Sequence, residues 1–142
     1  MLNLLFMENL NKAAFLDRDG VINKNYGYVH SLDNFVWLKN VKKAIKFLND
    51  KNYKVIVISN QSGIARKFYT EKDVIRLHKW MNSELKKINA KVDKFYFCPF
   101  HPKYGSKYYK KNSYYRKPNP GMLLEAIKKY NIEKEKSFMI GD

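Results

Sequence analysis

The chain has 142 residues, 45% of them hydrophobic, which suits one domain with a real core. A formal charge of +15 favours anionic partners such as phosphorylated metabolites or nucleic acid, although the lysines are spread along the whole chain as a solvated surface would have them. No apolar run is long enough to span a membrane, the opening Met1–Met7 lacks the basic leader and cleavage site of a signal peptide, and the single Cys98 excludes an internal disulfide and suits a reducing cytoplasm.

Short apolar runs alternate with helical patterns. Ala13 to Leu16 reads as a first buried strand, and it ends in Asp17-Arg18-Asp19-Gly20, two acids two positions apart before a turn. Val41, Ala44, Ile45 and Leu48 repeat at helical spacing. Lys54 to Ser59 is a β-branched run suited to a strand buried on both faces of a parallel sheet. Thr70-Glu71-Lys72-Asp73 opens a second helix with a weak capping box, and Val74, Leu77, Met81, Leu85 and Ile88 line its apolar face. Asp93 to Cys98 reads as a third strand. Asn119-Pro120 starts a third helix with proline at its first position, and Ser137 to Ile140 is a fourth strand. This β-α-β-α-β-α-β order predicts an α/β, doubly wound parallel sheet, Rossmann-like, in a single domain over 1–142. The last residues, Gly141-Asp142, fall where a loop and a covering helix would begin, so a final strand and helix are expected to be missing.

Ligands of a parallel sheet sit beyond the carboxyl ends of its strands, and the chemistry-bearing residues gather there. Asp17 and Asp19 follow the first strand. Acids so placed suit Mg2+, and one carboxylate can attack phosphorus while the other moves a proton. Ser59-Asn60-Gln61-Ser62-Gly63 after the second strand can hold phosphate oxygens or form an ordinary polar loop. Lys117, flanked by Arg116 and Pro118, is a fixed cation able to neutralise a phosphoryl group, or part of a solvated basic turn. Asp142 ends the fourth strand as Asp17 ends the first, and two such carboxylates can clamp one Mg2+.

Taken together, D-x-D-G, S-N, R-K-P and G-D resemble the haloacid dehalogenase superfamily of phosphatases over nearly the whole chain. Phe15–Asn23, Gly27–His30, Ser59–Arg66, Cys98–Pro102 and Arg116–Leu124 narrow the resemblance to the heptose 1,7-bisphosphate 7-phosphatase family; the related histidinol-phosphate phosphatases share most of these segments. The resemblance implies that Asp17 is the nucleophile, that Asp19 is the general acid and base, and that Ser59 and Lys117 hold the transferring phosphoryl group. It implies a Mg2+ ion on Asp17, the Asp19 carbonyl and Asp142, and substrate contacts from Asn60, Arg66 and Arg116. A phosphorylated sugar is the implied substrate and heptose or lipopolysaccharide precursor synthesis the setting. The expected enzyme is a cytoplasmic monomer with no membrane contact.

Three departures from the family pattern qualify this reading. Relatives often carry zinc on C-x-H and C-x-C, but here only Cys98 remains: Phe100 replaces the histidine, and Ser113 and Tyr115 replace the second pair, so Zn2+ is not expected. The acid that follows G-D in relatives lies past Asp142. The stretch Lys103 to Lys117 is basic and rich in tyrosine, which reads as a mobile, solvated loop but also suits stacking of nucleic-acid bases. The alternatives are a histidinol-phosphate phosphatase, a polynucleotide 3′-phosphatase and a truncated, non-catalytic remnant. His30 reads as structural and His78 as an exposed or packed helical histidine.

Overall fold

The computed structural model describes residues 10–142; the opening segment Met1–Met7, read above as no signal peptide, lies outside them. Four strands, β1 (Lys12–Leu16), β2 (Tyr53–Asn60), β3 (Lys94–Cys98) and β4 (Phe138–Ile140), form one sheet in the order β3-β2-β1-β4. Every pairing is parallel, with Phe15 opposite Ile56 on one side and Met139 on the other. Among the described residues no helix is long and apolar enough to cross a membrane.

The β-branched run of β2 behaves as its composition demands. Successive side chains point to opposite faces, so Val55 and Val57 enter one core while Ile56 and Ile58 enter the other. On the first face lie α1 (Val41–Asp50) and α2 (Glu71–Lys86), contributing Ile45, Leu77, Met81 and Leu85. On the second lies α3 (Gly121–Lys129), contributing Met122 and Ala126. The expected doubly wound arrangement is thus present.

α2 begins as its sequence predicts: the Thr70 hydroxyl accepts from the Asp73 N–H at 3.2 Å and the Asp73 carboxylate accepts from the Thr70 N–H at 2.9 Å. α3 differs from expectation. Its first helical residue is Gly121, and Pro120 occupies the capping position without a side-chain cap. Asn119 turns away to donate to the Ser113 carbonyl at 3.1 Å. Gly121 is required there because an added Cβ would lie 2.6 Å from the Tyr114 carbonyl oxygen.

The chain runs from β1 outward to β2 and β3, then returns to place β4 on the far side of β1. The direction of winding reverses between β1 and β4, and a parallel sheet opens its ligand crevice at such a reversal. Leu16 pairs with Ile140, and the Asp17 N–H donates to the Ile140 carbonyl at 3.0 Å. The two strand ends that carry Asp17 and Asp142 are therefore neighbours.

Candidate active site

A cavity of about 320 Å3 opens at the carboxyl ends of the strands. Its wall includes Asp17, Asp19, Asn60, Gln61, Lys117 and Asp142, which come from four separate segments of the chain.

Asp17 leaves β1 with its carboxylate aimed into this cavity. Its Oδ1 accepts from the Arg18 N–H at 2.8 Å and lies 3.0 Å from Lys117 Nζ. Among the described residues Oδ2 takes no hydrogen bond. One oxygen is thus neutralised and oriented, and the other is available to an electrophile or a cation. Lys117 is itself located by β2: Asn60 donates through Nδ2 to the Lys117 carbonyl at 3.1 Å and accepts the Lys117 N–H through Oδ1 at 2.9 Å. This reciprocal clamp brings the cation to Asp17 across 100 residues of sequence.

Asp19 is held by more donors. Arg18 Nη2 lies 3.0 Å and 3.2 Å from its two oxygens, Asn23 Nδ2 donates to Oδ1 at 2.9 Å, and Gln61 Nε2 donates to Oδ2 at 3.2 Å. Arg18 is completely buried, and its guanidinium also donates to the Val29 carbonyl. Burying such a charge is tolerable only with partners. A further contact is to His78 Nε2, 3.4 Å from Nη1. Guanidinium has no acceptor, so this imidazole nitrogen accepts. Burial and the adjacent Arg18 push the His78 pKa down to about 3, consistent with a neutral ring, and the ring stacks on Phe95 at 4.2 Å. Of the two readings open for His78, the packed one holds, because α2 turns this position toward β3.

Asp142 lies against the turn after β1. A Cβ on Gly20 would stand 2.3 Å from Asp142 Oδ2, and Gly20 has φ +85°, so both space and backbone demand glycine there. Among the described residues no three His, Cys, Asp or Glu side chains converge on one point. The acid side chains facing the cavity beyond Asp19, whose carboxylate is engaged as above, are Asp17 and Asp142.

The other expected residues are placed differently. Ser59 is buried, and its hydroxyl accepts from Gln61 Nε2 at 2.7 Å instead of lining the cavity. Arg66 stacks over Tyr104 at 3.8 Å, and Arg116 Nη1 reaches the Phe100 carbonyl at 3.4 Å; neither is on the cavity wall. Cys98 is buried, which pushes its thiol pKa up, and it lies beside Ser113. The basic, tyrosine-rich segment makes backbone and ring contacts of its own. The His101 N–H donates to the Tyr109 carbonyl and the Lys111 N–H to the His101 carbonyl, Tyr108 and Tyr109 meet edge to face at 5.0 Å, and the Tyr109 hydroxyl donates to Glu71 at 3.0 Å. Its rings supply their own contacts, which lysine-rich composition obscures.

Sequence reasoning passed over Arg18, Asn23, Gln61 and Tyr69. Gln61 stood inside the quoted motif and could have been singled out by its position two residues past Ser59. Tyr69 has no local signal.

A doubly wound sheet with an aspartate pair after its first strand, a lysine facing the first of them and a further acid after the last strand defines the phosphatases of the haloacid dehalogenase type. The comparisons agree and go further. Residues 12–142 match the family described as polynucleotide kinase 3 phosphatase. The D-glycero-beta-D-manno-heptose-1,7-bisphosphate 7-phosphatase of Haemophilus influenzae is 43% identical over 133 residues, 94% of this chain and 72% of that protein. The D-glycero-alpha-D-manno-heptose-1,7-bisphosphate 7-phosphatase of Burkholderia mallei is 42% identical over 132 residues, 93% of this chain and 70% of that protein. The crystal structure of a heptose 1,7-bisphosphate phosphatase from B. bronchiseptica, complexed with magnesium and phosphate, superposes with a TM-score of 0.82 at 30% identity, covering 92% of this chain and 70% of that one. The chain belongs to the heptose-1,7-bisphosphate 7-phosphatase family of phosphomonoester hydrolases.

Proposed function

We propose that this chain, acting as a single-domain, monomeric cytoplasmic enzyme, removes the 7-phosphate of D-glycero-D-manno-heptose 1,7-bisphosphate. The observation that carries the reading is the asymmetry of Asp17: Lys117 and a backbone N–H occupy Oδ1, while Oδ2 is left without a donor among the described residues. Asp17 Oδ2 attacks phosphorus, and the bond from phosphorus to the sugar oxygen breaks. Asp19 protonates that oxygen as it leaves. Asp19 then takes a proton from water, which attacks the phosphorus of the aspartyl-phosphate; inorganic phosphate departs and Asp17 is regenerated. Lys117 offsets the charge that spreads over the phosphoryl oxygens in both steps.

The donor set suits a hard, oxygen-seeking cation. Asp17 and Asp142 share the cavity and Asp142 carries no ion pair among the described residues, so these two carboxylates and the Asp19 carbonyl would hold Mg2+, which supplies charge neutralisation on the phosphoryl oxygens when bound. Asn60 acts by locating Lys117. Ser59 acts through Gln61 in the observed arrangement, and Arg66 and Arg116 are candidates for the remainder of the substrate, Arg116 for its second phosphate.

Phosphate release from the heptose bisphosphate, histidinol phosphate and a 3′-phosphorylated oligonucleotide, each with Mg2+ and with EDTA, tests the proposal. Mg2+-dependent release from the heptose bisphosphate in preference to the others is expected. Preference for histidinol phosphate would move the substrate assignment. Preference for the oligonucleotide, which the matched family description and the +15 charge favour as the second reading, would replace it. No release from any of the three by folded protein would overturn it.

A further inference from the structure

Asp19 has to sit still through two opposite proton transfers, and three groups hold its carboxylate. Arg18 and Asn23 belong to the same turn and travel with it. Gln61 does not: it comes from the end of β2 and reaches Asp19 Oδ2 from the neighbouring strand. An amide can be flipped, and only its partners decide which end faces which way. Here the Tyr69 hydroxyl donates to Gln61 Oε1 at 2.6 Å, which turns Nε2 toward Asp19 Oδ2 and Ser59 Oγ. Tyr69 is anchored in turn. Its ring lies flat on His30, with centroids 4.6 Å apart, and fills the space a side chain at Gly63 would need, where a Cβ would stand 2.1 Å from Tyr69 Cε1. Burial pushes the phenol pKa up to about 12, so the hydroxyl remains a donor throughout the neutral range.

We infer that Gln61 and Tyr69 are a positioning pair for Asp19, with Tyr69 fixing the orientation of the Gln61 amide and the amide fixing the carboxylate that moves the proton. The inference rests on the phosphatase reading above. Ser59 closes the chain by accepting the second amide hydrogen, so all four groups are satisfied with one orientation only.

The test exploits leaving groups. Protonation matters for an alkyl oxygen and little for nitrophenolate, so misplacing the acid changes the ratio of kcat/KM for heptose bisphosphate to that for 4-nitrophenyl phosphate. Tyr69→Phe, which removes one oxygen and keeps the packed ring, is expected to lower this ratio about tenfold, and Gln61→Asn by at least as much. In an Asp19→Asn background neither change should lower the ratio further. A ratio unaltered by both variants overturns the pair. A second readout needs no turnover: the Gln61 side-chain amide proton signals should move in both Tyr69→Phe and Asp19→Asn. Indifference to either substitution overturns the chain of contacts. Wild-type protein that releases phosphate from neither ester refutes the phosphatase reading instead, and the amide signals then decide the pair alone.

Discussion

β1 and β4 are adjacent strands, and each delivers an aspartate to the same cavity, yet the two are supported in opposite ways. The hydrophobic residues of β1 are at most 4% exposed, and Asp17 beyond them has its Oδ1 held by a backbone N–H and a lysine. Phe138, Met139 and Ile140 of β4 are 39–46% exposed, and Asp142 beyond them is located chiefly by strand register and by its contact with Gly20. Asp17, the proposed nucleophile, leaves a strand whose side chains are buried on both faces of the sheet. Asp142, the proposed ligand of the cation, leaves the strand at the edge of the described sheet.

Substitutions on the two strands test this contrast. Asp17→Asn removes the proposed nucleophile and should lower kcat by about 10⁴-fold or more while circular dichroism and melting temperature stay close to wild type. Retained activity would place the covalent step elsewhere. Lys117→Ala leaves Asp17 oriented by the backbone alone and should cost about 10²–10³-fold in kcat. Asn60→Ala should cost less, since the lysine remains but loses its clamp.

On the other strand the effect should appear in metal dependence. Asp142→Ala and Gly20→Ala are each expected to raise the Mg2+ concentration for half-maximal activity by about tenfold to a hundredfold, the second by pushing Asp142 aside. A Mg2+ titration that matches wild type in both would remove Asp142 from the metal site. The packing difference is testable without turnover. Ile56→Ala, at a fully buried position, should lower unfolding free energy by about 2–5 kcal/mol, whereas Ile140→Ala should cost under about 1 kcal/mol.

A last effect concerns the core beneath Asp19. His78 has a folded pKa of about 3, lower than its unfolded value near 6.5. The unfolded chain therefore binds the extra proton first. The stability is fully present above pH 6.5 and is lost as pH falls toward 3, by up to about 1.4 kcal/mol per unit. Urea unfolding at pH 7 and pH 5 should reveal the slope, and His78→Phe should flatten it; an identical slope in the variant would show that His78 is not its source.

How much of this was legible beforehand depends on the range over which each feature is determined. Strand identity, the alternation of helices with strands, and the acids at strand ends are local properties: a β-branched run such as Val55–Ile58 extends wherever it is buried, and the polar residues that follow it reach the carboxyl end of the sheet. Those features placed Asp17, Asp19, Asn60 and Asp142 at one end of one sheet from the sequence alone; Lys117 joined them only through the family resemblance. What the tertiary structure decided is which polar groups meet there. Arg18 drew no reading from the sequence, and becomes a buried cation because the Val29 loop and α2 close over it. Ser59 looked like a phosphate ligand, and turns out to satisfy Gln61. Arg66 and Arg116 sit beside the right motifs, but their long side chains follow Tyr104 and the Phe100 carbonyl away from the cavity wall. The physical reason is common to all of them: burial of a segment follows from its own hydrophobic pattern, whereas a hydrogen-bond partner is set by rotamer, loop path and the competing donors that folding brings within 3 Å.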